Sequence, residues 1–136
     1  MTADLTYRHT EQATDGSWTA KHFTREEFAC KCGCGFCEPH PDLVAGLDML
    51  RELIGRPVVI NSGCRCPNHN RNVGGVVHSY HVVGKAADII CPPMGVDGLA
   101  GLAETILCFQ VGGIIKEPTW VHVDVRGHKF RDDRRK

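Results

Sequence analysis

Two short segments, residues 79–88 and 120–124, constrain this chain more than any other part of its sequence. In the first, His81 and Asp88 lie on either side of Gly84, a residue that can turn the chain where others cannot. Such a turn would let one imidazole and one carboxylate approach each other. The segment therefore has the composition of half a zinc site.

The second segment supplies the other half. Its alternation, Trp120-Val-His122-Val-Asp124, is typical of a β-strand and sends residues 120, 122 and 124 to one face. Two imidazoles and a carboxylate, with a fourth position left to water, form a usual catalytic zinc set, whereas a structural site is closed by four protein ligands. An open set of this kind indicates an enzyme.

The two motifs resemble those of the zinc D-Ala-D-Ala carboxypeptidase family of peptidoglycan peptidases. Ser-x-His-x-x-Gly-x-Ala-x-Asp is followed by Trp-x-His, as in that family. Three further stretches are similar to its small, single-domain branch: residues 22–30, 60–65 and 70–75. The resemblance implies a single α+β domain of the hedgehog/DD-peptidase type, with a small, mainly antiparallel sheet flanked by helices.

The resemblance also assigns the metal ligands. His81, Asp88 and His122 match the zinc ligands of the family, so the expected cofactor is one catalytic Zn²⁺ ion.

Three residues match or adjoin substrate-binding positions of the family. Ser79 matches a residue that contacts substrate, although it could equally be a turn residue. Arg65 matches the arginine that many members direct at the scissile carbonyl or at a substrate carboxylate, where a fixed guanidinium would stabilise developing negative charge. A structural ion pair is the other interpretation of Arg65. Trp120 either lines the pocket or packs in the core.

The general base is where the sequence departs from the better-known members. They place Glu or Asp three residues before the last His ligand, but this chain has Thr119, which cannot act as a base. Asp124 shares the face of His122 in a regular strand, so we predict that it is the base, with Glu117, in the turn at Pro118, as the alternative. The remaining interpretations are that these carboxylates orient a metal ligand, or that the site has no general base.

Eight cysteines are the second unusual feature, and six of them form two clusters. The clusters are Cys30, Cys32, Cys34 and Cys37, and Cys64 with Cys66. Clustered cysteines in a chain without a secretory signal favour metal over disulfides. We therefore expect a second, structural zinc ion that joins the N-terminal segment to the loop carrying Arg65. Disulfides between the clusters and free thiols are the alternatives.

Composition indicates one ordinary domain and disfavours two classes of partner. The 136 residues fit a single domain. Sixteen basic residues balance sixteen acidic ones, which argues against nucleic acid. No apolar run is long enough to insert into a membrane. We expect a monomer with an irregular segment over 1–21, the peptidase domain over 22–127, and a charged, frayed tail over 128–136.

Periodicity and turn residues predict the order of the elements. The expected elements are a short helix at the capping box of residues 24–27, a helix over 42–54, a strand over 57–61, a loop over 67–80, a strand over 86–90, a helix from 97 to about 109, and strands at 114–115 and 120–125.

The resulting hypothesis is a zinc metallopeptidase that hydrolyses peptidoglycan stem peptides or crosslinks, as a D,D-carboxypeptidase or an endolysin-like endopeptidase. The alternative is a non-catalytic, zinc-stabilised module that binds cell wall or belongs to a phage particle. Residues 1–21 lack the apolar stretch of a secretory signal. We therefore expect synthesis in the cytoplasm and delivery to the cell wall by other means, such as a phage lysis system.

Overall fold

Five strands form one mixed sheet in the computed structural model, which describes Trp18 and residues 20–135. The strands are β1 (Val59–Ser62), β2 (Ala86–Ile90), β3 (Gly113–Lys116), β4 (Val121–Asp124) and β5 (Phe130–Asp133). Their order is β1-β2-β4-β3-β5, and every pair is antiparallel except β3 with β5. The predicted α+β class with a small, mainly antiparallel sheet is confirmed. Most of the predicted irregular segment 1–21 lies outside the described residues.

Four α-helices and a 3₁₀ helix accompany the sheet within the described residues. They are the 3₁₀ helix Arg25–Phe28, α1 (Pro41–Ile54), α2 (Pro67–Asn72), α3 (Val96–Ala103) and α4 (Leu107–Gln110). The predicted capping box is present, since the Thr24 N–H donates to Glu27 Oε1 at 2.7 Å. In this part of the chain, every helix is too short or too polar to cross a membrane.

The sheet has one face in the core and another that is free to carry a site. Along β2, Ala87 and Ile89 are fully buried in the hydrophobic core, whereas Asp88 between them belongs to the other face. β4 repeats this alternation on either side of His122. Helices α3 and α4 contact β3 and β4, and α1 packs on α3 and α4. Burial of one face thus fixes the register that presents Asp88 and His122 together.

The predicted loop over 67–80 begins with a helix, α2, that the sequence analysis missed. Its residues are polar and Asn-rich, which gives little intrinsic helix propensity. Two contacts compensate: Cys66 Sγ accepts from the His69 N–H at 3.3 Å, and the buried Asn70 side chain donates to the Val76 carbonyl at 2.6 Å. Side-chain contacts at the N-terminus of the helix and with the loop that follows, rather than helix propensity, therefore stabilise this helix.

The single helix predicted over 97–109 is two helices, α3 and α4. Between them, Thr105 Oγ1 donates to the Leu102 carbonyl at 2.7 Å, a local bond that competes with helix continuation. Glu104 also leaves the helix and pairs with Arg131 at 2.7 Å. The helix ends at this point because the Thr105 hydroxyl occupies the Leu102 carbonyl, and because the ion pair with Arg131 holds Glu104 outside the helix.

The charged tail is not frayed in its described part, so that expectation is wrong. Residues 130–133 form β5, parallel to β3. Arg131 reaches Glu104 and also donates to the Gly112 carbonyl at 2.7 Å, and Arg135 pairs with Asp97 at 2.9 Å. After Phe130 the segment is entirely charged and gave no sign of a strand, because an edge strand with ion-paired side chains needs no apolar face.

Candidate metal centre and its cavity

Adjacent strands place the two halves of the predicted metal site side by side. Asp88 in β2 lies directly opposite His122 in β4. His81 comes from the turn that precedes β2. His81 Nε2 and His122 Nδ1 each lie 3.2 Å from Asp88 Oδ1, so the three groups converge on one point. The structure therefore brings together all three residues that the sequence suggested as ligands.

The spacing of these atoms fits a zinc ion. Ligands about 2.0–2.1 Å from a tetrahedral zinc are separated from each other by roughly 3.3 Å, close to the two observed separations. Burial alone would raise the pKa of Asp88, but hydrogen bonds with His122 and His81 outweigh it and hold that pKa well below its usual range. Asp88 is therefore an ionised carboxylate at neutral pH, the form that binds metal.

The outer nitrogen of each imidazole has its own acceptor. His81 Nδ1 lies 2.7 Å from the Gly63 carbonyl oxygen, and His122 Nε2 lies 2.7 Å from Asp124 Oδ2. Each acceptor can hold the proton of the nitrogen that faces it, so that the other nitrogen can offer its lone pair to a metal ion in place of its hydrogen bond with Asp88. Partners of this kind orient metal-binding histidines and strengthen their binding.

A tight turn holds His81 in position. Gly84 has φ 74°, and a Cβ there would collide with the Glu38 carbonyl oxygen. The Gly84 carbonyl accepts from the His40 N–H at 2.8 Å. Ser79 Oγ accepts from the His81 N–H at 3.1 Å, which gives Ser79 a structural role within the turn. Its predicted contact with substrate stays a prediction.

A cavity of about 320 Å³ opens beside the three ligands. Its other lining residues include Arg65, Ser79, Glu117, Trp120, Arg126 and Arg134. Trp120 therefore lines the cavity, and its buried indole Nε1 has no hydrogen-bond partner in the described part of the chain. Such a cavity leaves room for a ligand beside the convergent residues.

A model of the peptidase M15 family matches residues 21–124, which is most of the chain and includes all three convergent ligands. The chain belongs to the peptidase M15 family. This is the family of the zinc D-Ala-D-Ala carboxypeptidases, so the resemblance drawn from the motifs is confirmed. Membership implies a metallopeptidase. A comparison with curated proteins finds no match to the chain.

In this M15 peptidase, Asp124 lies behind His122 and does not line the cavity. Its side chain is fully buried, and its two oxygens accept from His122 Nε2, from Arg126 Nε, Nη2 and N–H, and from the Gly113 N–H, at 2.7–3.1 Å. Burial would raise the pKa of Asp124, but the bonds from His122 and Arg126 hold it well below its usual range. This geometry argues against Asp124 as the general base, because a buried carboxylate saturated with donors is badly placed to take a proton from water. Its assignment as the base stays a prediction.

Glu117 is the carboxylate that does line the M15 cavity. Ile115 pairs with His122 across the sheet, so Glu117, two residues further on, lies on the side of the sheet that carries His122. Its side chain is 17% exposed, and among the described residues its only ion pair is with Arg134, at 3.5 Å. A partly exposed carboxylate with one long ion pair keeps lone pairs that can accept a proton from water. Glu117 is therefore the better candidate for the base.

Arg65 forms the structural ion pair of the second interpretation, and its predicted contact with substrate stays a prediction. Its guanidinium donates to Ser62 Oγ at 3.0 Å, to Asn70 Oδ1 at 3.1 Å and to Asp88 Oδ2 at 3.0 Å. The ion pair with Asp88 fixes the ligand, and the other two bonds fix the arginine. A guanidinium has five N–H groups, so two remain for a substrate oxygen in the cavity.

Arg126 is the residue of the M15 site that the sequence analysis missed. It donates to both oxygens of Asp124, at 2.9 and 2.7 Å, and this hydrogen bonding raises its pKa. Its guanidinium carbon lies 4.5 Å from the centroid of the Tyr80 ring and 4.4 Å from that of Phe130. The Asp-x-Arg spacing on a strand was the available signal, since residues two apart share a face.

The six clustered cysteines divide into two groups in the structure, and all eight thiols of the chain are free. The sulfur atoms of Cys30, Cys32, Cys34 and Cys66 lie within 4.8 Å of one another. Cys37 and Cys64 lie apart from this group: both are buried, and the Cys37 thiol donates to the Arg25 carbonyl at 3.1 Å.

Proposed function

We propose that this chain is a zinc-dependent peptidase that hydrolyses the stem peptides or crosslinks of peptidoglycan. The observation that supports it is the open ligand set of His81, Asp88 and His122 on the wall of a cavity, in a chain of the M15 family. Structural zinc sites are closed by four protein ligands, whereas catalytic sites keep one position for water or substrate. Three converging ligands beside open space fit the catalytic type.

The residues around the ligands divide the chemistry between them. A zinc ion held there would supply Lewis-acid activation of a water molecule and of the scissile carbonyl. Glu117 accepts the proton of the attacking water and passes it to the leaving amine. The free N–H groups of Arg65 donate to the carbonyl oxygen as it gains negative charge.

The charge of the cavity supports a substrate that carries carboxylates. Arg65, Arg126 and Arg134 all line it. Peptidoglycan stem peptides carry carboxylates along the chain and at the carboxyl end. An arginine that keeps free N–H groups binds such a group by charge-assisted hydrogen bonds.

Digestion of defined muropeptides tests this proposal. A pentapeptide stem and a crosslinked dimer are incubated with the zinc-loaded protein, and the products are identified by mass. Release of the terminal residue from the stem indicates a carboxypeptidase, and separation of the dimer indicates an endopeptidase. Zinc-loaded protein that binds sacculi but cleaves neither substrate at any pH would instead support a non-catalytic cell-wall-binding module.

Arg65→Ala is expected to reduce kcat/KM about 10²–10³-fold, because the developing oxyanion loses its fixed donor. Steady-state rates on the cleaved muropeptide, measured beside zinc content, give the result. Arg71→Ala is the matched control, since Arg71 lies exposed on the neighbouring helix α2 and its side chain bonds only to Asn68 among the described residues. Unchanged turnover in a zinc-loaded Arg65→Ala protein would show that Arg65 only supports Asp88.

A further inference from the structure

Four cysteine sulfurs form a compact group away from the cavity. Cys30, Cys32 and Cys34 come from the segment after the 3₁₀ helix, and Cys66 comes from the loop before α2. The Sγ atoms of Cys30 and Cys32 are 3.5 Å apart, and those of Cys32 and Cys66 are 3.7 Å apart. Two segments separated widely in sequence therefore meet through their thiols.

These separations are those of a tetrahedron of sulfur around a zinc ion. With Zn–S bonds of about 2.3 Å, the ligand sulfurs of a tetrahedral site lie roughly 3.8 Å from each other. A disulfide would bring one pair to about 2.05 Å and leave the other thiols without a role. The observed group matches the four-coordinate arrangement in number, and its separations of 3.5 and 3.7 Å are close to the expected distance.

Backbone N–H groups surround the same sulfurs. The Cys66 N–H donates to Cys30 Sγ at 3.4 Å, the His69 N–H to Cys66 Sγ at 3.3 Å, and the Phe36 N–H to Cys34 Sγ at 3.5 Å. Donors of this kind stabilise thiolates and orient them, as outer partners do in metal sites. These N–H groups therefore fix the positions of three of the four sulfurs.

We propose that Cys30, Cys32, Cys34 and Cys66 bind a second zinc ion in a closed, structural site. Four thiolates complete the coordination and leave no position for water, so this ion takes no part in hydrolysis. Cys37 and Cys64 are excluded from the site, since each is buried apart from the four sulfurs.

The ion fastens the segment after the 3₁₀ helix to the loop that carries Arg65. Cys66 follows Arg65 directly, and the Arg65 N–H donates to the His81 carbonyl at 3.0 Å. The Cys64 N–H donates to the Phe28 carbonyl at 2.9 Å, so backbone bonds reinforce the same junction. The free energy of zinc binding at this site adds to the free energy of unfolding, because the four thiols are brought together only in the folded chain.

The test uses the full chain with the catalytic ligands removed. In the double variant His81→Ala, His122→Ala, we expect one zinc ion per chain, with an X-ray absorption spectrum showing sulfur alone at about 2.3 Å. Because the catalytic zinc cannot bind in this protein, the result is independent of the proposed peptidase activity. No zinc, a nitrogen or oxygen shell, iron in place of zinc, or a disulfide within the cluster would each overturn the proposal.

Single thiol replacements give a second test. Cys32→Ser and Cys34→Ser remove exposed sulfurs and should each lower the zinc content of the otherwise natural chain by one ion. Cys108→Ser is the matched control, since Cys108 is half-buried outside the cluster and should leave the count unchanged. An unchanged count in the first two proteins would overturn the proposal. If they do not fold, the absorption spectrum of the double histidine variant decides.

Discussion

Replacing His122 with alanine is expected to remove the catalytic zinc ion and to reduce muropeptide hydrolysis below detection. Only three side chains of the described residues meet at that point, so the loss of one leaves two ligands and a weak, incomplete set. His81→Ala should behave in the same way. Zinc content measured after dialysis, together with the rate of product formation, gives both results on one sample.

The matched control is His128→Ala, which removes an exposed imidazole near the same end of the chain. It should retain full zinc content and activity. The two ligand variants should lose one zinc ion each and keep any ion bound by the cysteine cluster. Full zinc occupancy in both His81→Ala and His122→Ala would contradict the ligand assignment, whatever their activity.

The metal-site residues could be found from sequence because each half of the site is local. The pattern from Ser79 to Asp88 contains its own turn at Gly84, and the alternation around His122 contains its own strand. Strand pairing then had only to place β2 beside β4, and burial of the alternate residues Ala87 and Ile89 fixed the register. Local patterns supported by a buried face are the most predictable part of this chain.

The division of the cysteines could not be found in the same way. Spacing along the chain separates Cys34 from Cys37 by only two residues, yet the first joins the cluster and the second enters the core. That choice depends on which way each thiol points after the chain turns, and on the hydrogen bond from the Cys37 thiol to the Arg25 carbonyl. Sequence spacing alone does not carry this information.

The role of Asp124 shows a related limit. Alternation correctly places Asp124 on the face of His122, but a shared face does not say which group lies in front of the metal and which lies behind. Arg126 and the Gly113 N–H decide the question, because they hold the carboxylate against the outer nitrogen of His122. Without those partners, the sequence could only offer Asp124 and Glu117 as rivals.

Glu117→Gln is expected to keep the fold and the zinc ion but to lower kcat about 10²–10⁴-fold, the usual contribution of a positioned general base. Its carboxylate lines the cavity and makes one long ion pair among the described residues, with Arg134. The amide is nearly the same size but cannot accept the proton of the attacking water. Zinc content and kcat, measured on the muropeptide that the wild type cleaves, separate a loss of chemistry from a loss of metal.

Asp124→Asn should weaken zinc binding rather than the chemical step. The amide group replaces one acceptor with a donor, so it must face either His122 or Arg126 unfavourably, in a site with no access to water. Zinc affinity should fall about 10–100-fold, the usual effect of losing an outer partner of a metal-binding histidine. Activity should then recover as zinc is added, which it cannot do in Glu117→Gln. If added zinc restores Glu117→Gln and leaves Asp124→Asn inactive, the base is Asp124, and the closed arrangement of its carboxylate must open during turnover.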